Sequence, residues 1–179
     1  VLDYEEEEID YSEDMAQVAG QSFAKRAFEI AAAGNLHVLL IGPPGVGKSM
    51  LARRLITILP ELNAMQAVEV TMLYSIANKG GTKLKRKRPY RDPHHNASLS
   101  ALVGGGTKAM PGEVSLAHNG VLFLDELAEY SKALEGLRQS METKTITISR
   151  AQNHITYPAK AQVVAAMNPC KCGYLGTSK

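Results

Sequence analysis

Cysteine is scarce: Cys170 and Cys172 are the two in a chain of 179 residues. Two thiols near one end cannot staple a fold, so a secreted disulfide framework is excluded. No apolar run approaches the ~20 residues that a membrane-spanning helix needs. Lys and Arg are missing from the first fourteen positions, which instead carry eight acidic residues between Asp3 and Asp14. That is the reverse of a secretory signal, with its basic start and apolar middle. Residues 1–14 read as a solvated, disordered leader ahead of one domain over residues 15–179. Internal repeats are lacking as well. A soluble, cytoplasmic protein with one real core is expected.

The formal net charge of +2 hides an asymmetry. Beyond the leader, residues 15–179 hold twenty basic groups against ten acidic ones. Such a surface suits a polyanionic partner such as nucleic acid. Charge directed at a bound nucleotide or a neighbouring subunit would leave the same imprint, and composition does not separate the two.

What the chain does have is a complete phosphate loop. Residues 42–49 read Gly42-Pro43-Pro44-Gly45-Val46-Gly47-Lys48-Ser49, a full G-x-x-x-x-G-K-[ST] pattern. His37 to Ile41 before it is a short apolar strand. Met50 to Leu59 after it has no Gly or Pro and reads, with Lys48 and Ser49, as a helix over 48–59. Strand, glycine loop and helix are the context the chemistry requires: backbone N–H groups wrap phosphates, Lys48 reaches the β- and γ-phosphates, and the Ser49 hydroxyl binds Mg²⁺. ATP and Mg²⁺ are the expected ligands.

The rest of the chain alternates. Phe23 to Ala33 reads as a helix with apolar positions at Phe23, Ala27, Ile30 and Ala31, closed by Gly34-Asn35. Ala67 to Met72, with its β-branched residues, reads as a strand. Residues 78–112 are basic, broken by glycine and proline pairs, and too long for an ordinary connection, so a functional insertion is expected there. Glu113 to His118 is a short helical piece. Val121 to Leu124 is a strand apolar on both faces. Ser131 caps a helix reaching about Glu142. Thr145–Ser149 and His154–Tyr157 form a hairpin with Arg150 at its tip, and Gln162 to Met167 is a last buried strand. This alternation predicts an α/β fold, a parallel sheet with helices on both faces.

Hydrolysis needs a metal ligand and a group that acts on water. Asp125 and Glu126 follow a buried strand directly, where ionised carboxylates are costly without a partner. Asp125 would hold Mg²⁺ and Glu126 would polarise the attacking water. Asn168 ends the next apolar strand. It either starts the turn before Pro169 or reaches the γ-phosphate; the ends of parallel strands are where ligands sit.

These motifs, with Val18-Ala19-Gly20-Gln21, Arg88 to His95, Ala101 to Gly106, Pro111 to Gly120 and Asn168 to Tyr174, resemble the AAA+ ATPases of the magnesium-chelatase-like family, ComM (YifB) type. The likeness runs from about residue 12 to the end. It implies a P-loop NTPase core in which Gly42–Ser49, Leu122–Glu126 and Asn168 are Walker A, Walker B and sensor 1. Lys48, Glu126 and Asn168 are then catalytic. Val18, Gly20 and Gln21 lie by the adenine, and Met50 follows the phosphate loop. The resemblance also implies a helix-2 insert tipping near Gly104–Pro111, a pre-sensor-1 hairpin carrying Arg150, and a hexameric ring whose pore loops meet DNA during branch migration. It places a Lon-protease-like domain ahead of this region. The arginine finger, sensor 2, helical lid and a strand flanking the phosphate-loop strand would lie beyond Lys179. Residues 1–179 alone are therefore expected to be monomeric and weakly active.

The basic run Lys83, Lys85, Arg86, Lys87, Arg88 and Arg91, together with Lys108 and Arg150, is the candidate nucleic-acid surface, stiffened by Pro89 and Pro93. A merely solvated basic loop is the alternative. His94-His95 lacks a third ligand, so a metal is not expected there. Cys170-x-Cys172 is too tight for a zinc knuckle and cannot complete a four-thiolate site within this chain. A DNA motor, a chelatase-type subunit acting on a metal-inserting partner without DNA, and a nucleotide switch without turnover all remain open. Glu126 argues against the switch.

Overall fold

The computed structural model describes residues 13–79, 84–106, 108–130, 134–150 and 153–170. Most of the acidic leader, the Ser131 cap, the hairpin turn and Cys172 lie outside them. Asp14 belongs to the fold: its side chain accepts from Ala16 N at 2.7 Å and its carbonyl from Arg54 Nε at 3.2 Å.

Helix α1 spans Ser22–Gly34 and stops where Asn35 turns left-handed, at φ 50°, with its N–H on Ala31 O. The end falls where the sequence predicts, but the buried face does not. Phe28 and Ala31 are buried, whereas Phe23 is 90% and Ile30 51% exposed. Alanines flank every side of this helix, so periodicity alone cannot choose the face. Strand β1, Val38–Ile41, follows. Helix α2, Lys48–Arg54, tightens into a 3-10 turn over Leu55–Ile58, within the predicted helical span. Thr57 Oγ1 donates to Arg54 O at 2.8 Å in that turn and accepts from Met15 N at 3.1 Å.

The predicted strand over Ala67–Met72 is instead the middle of helix α3, Ala64–Ile76. Asn63 and Gln66 form a reciprocal cap: Asn63 Oδ1 accepts from Gln66 N at 2.9 Å and Gln66 Oε1 from Asn63 N at 3.1 Å. Ala67, Val70 and Leu73 then share the buried side. Val68, Val70 and Thr71 bias toward strand only weakly, and cap plus burial override that bias.

The described part of the glycine-broken segment carries several short elements. Strand β2, Tyr90–Arg91, is followed by α4, Leu99–Val103, the pair β3, Gly104–Gly105, and β4, Met110–Pro111, and helix α5, Glu113–Leu116. Ser98 caps α4 through Ala101 N. Then come β5, Val121–Leu124, a 3-10 turn over Leu127–Tyr130, α6, Leu134–Thr143, the hairpin β6, Thr145–Arg150, and β7, Asn153–Pro158, and finally β8, Gln162–Met167.

Four strands make one parallel sheet in the order β1-β8-β5-β2. The fold is the α/β architecture expected from the alternation. Strand β5 is buried throughout, and its side chains alternate between two cores. Val121 and Phe123 join Val164, Ala166, Phe28, Leu51 and Leu55 on one face. Leu122 and Leu124 join Val163, Ala165, Leu73, Leu102, Val114 and Leu137 on the other, with Ile146, Ile148 and Tyr157 of the hairpin. Strand β2 seats closely on β5 because Gly120 has no side chain: a Cβ there would overlap the Pro89 carbonyl, which accepts from Val121 N at 2.8 Å.

Candidate active site

Parallel pairing brings the carboxyl ends of β1, β8 and β5 side by side. The residues just past those ends are Gly42, Asn168 and Asp125, so the sheet order alone assembles three sequence-distant motifs. The loop after β1 turns at Gly45, φ 81°, and Gly47, φ 88°, a left-handed geometry that favours glycine. A Cβ on Gly45 would meet nothing within 4 Å, so backbone strain, not crowding, calls for glycine there.

Lys48 begins α2 and folds back over the loop. Its Nζ donates to Gly42 O at 2.6 Å, Pro43 O at 2.9 Å and Asn168 Oδ1 at 3.0 Å. Ser49 Oγ donates to Asp125 Oδ2 at 3.1 Å. The other Asp125 oxygen, Oδ1, accepts from Glu126 N at 2.9 Å. Glu126 has φ 54° and so turns its side chain out of the strand direction. Its Oε2 lies 3.0 Å from His95 Nδ1, on the loop after β2.

The donor set suits a hard cation: a hydroxyl and a carboxylate oxygen in contact, without sulfur or imidazole between them. Ser49 and Asp125 are the residues that would hold Mg²⁺, and Lys48 with the glycine-rich backbone would hold phosphates. No group of three or more His, Cys, Asp or Glu side chains among the described residues forms another metal site.

Acidic character is concentrated around these strand ends. Burial raises the Asp92 carboxyl above its ordinary range; Arg53, 4.0 Å away, opposes this, while the Asp125 charge adds to it. Tyr130 is pushed up to about 12 by burial, reinforced by Asp92, Asp125 and Glu126. Its hydroxyl donates to Pro93 O at 2.5 Å inside the core.

Just before α1, Gly20 and Gln21 both take left-handed φ values, 65° and 53°. Gln21 Nε2 reaches Val46 O in the phosphate loop at 3.2 Å. Val46 and Met50 are exposed, at 40% and 38%. Val18 is a core residue, packed in the same cluster as Leu51 and Leu55.

The expected basic surface divides in two. Arg88 donates to Pro60 O and to Asn119 O, the latter at 2.6 Å, and burial lowers its pKa. Arg91 is half-buried and paired with Glu113, which Lys79 also meets at 3.0 Å. Both guanidiniums are used by the fold. Lys85 lies over the Tyr74 ring, 4.8 Å from its centroid. Lys87 and Lys108 are exposed, and Arg150 closes β6 opposite Asn153. His95 is the site residue that sequence reasoning missed. The His94-His95 pair was visible, but its placement against Glu126 comes from β2 joining the sheet, which a two-residue strand does not announce.

A family model described as "Magnesium chelatase, subunit ChlI" matches residues 14–179. The YifB protein of Escherichia coli (strain K12) is 51% identical over 163 residues, 90% of this chain and 32% of that protein. Competence protein ComM of Haemophilus influenzae is 52% identical over 167 residues, 92% of this chain and 33% of that protein. The chain thus spans about a third of the length of these relatives. Among solved structures, a cryo-EM-based model of the complex between the magnesium chelatase subunits BchI and BchD aligns with TM-score 0.64 and 26% identity, covering 83% of this chain and 52% of that one.

Proposed function

The chain belongs to the magnesium chelatase, subunit ChlI family, and from that premise we propose that it is the ATP-binding and ATP-hydrolysing AAA+ core of a ComM-like motor that moves branched DNA. The observation that carries the hydrolytic part is the meeting of Lys48, Asn168, Ser49, Asp125 and Glu126 at three adjacent strand ends. Lys48 exchanges its carbonyl contacts for the β- and γ-phosphates. Asn168, already on the Lys48 ammonium, stands beside the γ-phosphate. Ser49 and Asp125 would hold Mg²⁺, which would neutralise phosphate charge. Glu126 orients and deprotonates water. Gln21, tied to the loop at Val46, borders the adenine.

In the full protein these cores form a cytoplasmic, hexameric ring with composite sites, each taking an arginine finger from its neighbour. DNA contacts fall to Lys87, Lys108 and Arg150, carried by the insert and the β6–β7 hairpin, since Arg88 and Arg91 are engaged internally. The basic excess over residues 15–179 supports a polyanion as partner.

The likeness to the BchI subunit favours a second reading, an ATPase ring that drives a metal-inserting partner and binds no DNA. ATP hydrolysis by the full-length protein, measured with and without single-stranded and branched DNA, separates the two. Stimulation by DNA supports the motor. Hydrolysis indifferent to DNA at saturating concentration supports the chelatase-type subunit.

A further inference from the structure

Away from the strand ends, one surface joins an apolar hollow to a cationic rim. Leu62, Ala67 and Val70 form a small core of their own, with Tyr74 and Leu84 packed against it. The hollow beside it, about 250 Å³, is lined by Leu62, Ala64, Ala67, Leu84 and Arg86. Two anchors hold the rim. Lys85 N donates to Thr71 Oγ1 of α3 at 2.8 Å. Arg88 donates to Pro60 O and Asn119 O. The segment between these anchors presents Arg86 and Lys87 at the surface, both exposed. Residues 84–88 carry four basic side chains and no acidic one, and Arg86 borders the hollow itself.

An apolar floor with a cationic edge suits an acidic peptide that carries an apolar side chain. A phosphate backbone needs only the cations and leaves the hollow unused. The chain supplies such a peptide. Ile9 stands between Glu5-Glu6-Glu7-Glu8 and Asp10, in a stretch without Lys or Arg. Its attachment is nearby: Met15 N donates to Thr57 Oγ1 at 3.1 Å, and Glu13 meets Arg53 at 3.7 Å. The short run from Thr57 to Leu62 puts Met15 within about 20 Å of the edge of the hollow, and the chain from Ile9 to Met15 spans up to about 20 Å. A segment tethered this closely has an effective concentration of order millimolar, so weak contacts suffice to fill the site.

We infer that the hollow between α3 and residues 84–87 is the docking site of the chain's own acidic leader: Ile9 enters the hollow, and Glu5 to Glu8 pair with Arg86 and Lys87. The leader thereby has a role other than solvation. One consequence rests on the nucleic-acid reading above. Lys87 is then shared, and the leader and a DNA backbone exclude each other there.

The test is zero-length carbodiimide linking of the full-length protein, mapped by mass spectrometry. The reagent joins a carboxylate to an amine as an amide, with loss of water, only where the two touch. A mixture of isotopically light and heavy protein tells links within a copy from links between copies. Links from Glu5–Glu8 to Lys87 within one copy are expected, at a rate that falls with added salt. Arg86→Glu should lower that rate by roughly 2–10-fold, the worth of reversing one exposed pair. Ile9→Ser should lower it by roughly tenfold, the worth of burying most of an aliphatic side chain, and Ile9→Leu should not. Links only between copies overturn the assignment, as does the lack of any link from the leader to Lys85 or Lys87. A rate in Ile9→Ser equal to the parent's overturns it too, because charge alone then gathers the leader at the rim. Saturating single-stranded DNA should slow the linking, and DNA that binds yet leaves the rate unchanged overturns the shared surface. If the protein binds no DNA, the nucleic-acid reading falls, while the docking is still read from the links formed without DNA.

Discussion

Lys48 and Asn168 stand 120 positions apart in the chain and meet at 3.0 Å, ammonium to amide oxygen. The contact exists because β8 inserts between β1 and β5, so a residue ending the last strand stands over the loop that follows the first. Lys48→Ala removes the group that is expected to meet the β- and γ-phosphates, and calorimetry should then detect no ATP binding. Asn168→Ala leaves Lys48 two carbonyl partners, Gly42 and Pro43, and should bind ATP with altered turnover. Equal ATP affinity in Lys48→Ala and the parent would move the nucleotide elsewhere.

Glu126→Gln keeps the shape and removes the base. ATP binding should persist and hydrolysis in the full-length assembly should fall by about 10²–10⁴-fold, the usual worth of a general base. Single-turnover measurements separate this from slow product release.

The basic residues should split by role. Arg88→Ala and Arg91→Ala leave carbonyls and Glu113 short of donors, and each should cost about 1–3 kcal/mol in urea unfolding. Lys87→Ala, Lys108→Ala and Arg150→Ala should show in DNA binding. Each should lower the salt slope of DNA binding by about one unit and weaken all sequences alike. An unchanged slope in the triple variant favours the chelatase-type reading.

Stability should fall on mild acidification. His118 Nδ1 accepts from Lys160 N and His37 Nδ1 accepts from Val163 N, each at 3.0 Å, and protonation removes both acceptors. Burial is the main cause that holds both below the ordinary 6.5, with Glu69 opposing it at His118. With the folded value depressed, both histidines favour the native state above 6.5 and lose that contribution as pH drops through it toward their folded values. Glu69, depressed first by its bond to His118, adds a loss below 4.5. The urea midpoint of the parent should decline from pH 7 to pH 5, and His118→Gln should flatten that decline.

Residues 1–179 alone should hydrolyse ATP slowly. An arginine finger from a neighbour contributes about 10³–10⁵ in rate in comparable phosphoryl-transfer enzymes. Turnover of residues 1–179 should stay slow and proportional to protein concentration, and brisk activity at high dilution would contradict the composite site.

The chemistry was legible wherever it is carried by contiguous residues. Gly42 to Ser49 has a spacing that a phosphate loop demands, and Val121 to Glu126 couples burial to two carboxylates. The parallel sheet followed from short apolar runs separated by helices. Helix α3 was legible in principle through Asn63-x-x-Gln66, but its β-branched residues drew the reading toward a strand. Strand β2 was not legible: two residues carry no period, and their place depends on Gly120 letting Pro89 approach.

By itself, then, the sequence determined the phosphate loop, the carboxylate pair, the α/β class and the sign of the surface charge, because each is written in adjacent residues. Tertiary structure alone decided which face of α1 is buried, that Arg88 and Arg91 serve the fold, and that His95 meets Glu126. Those outcomes depend on which strands become neighbours. Neighbourhood in a parallel sheet is settled by the packing of the whole core, not by any one segment.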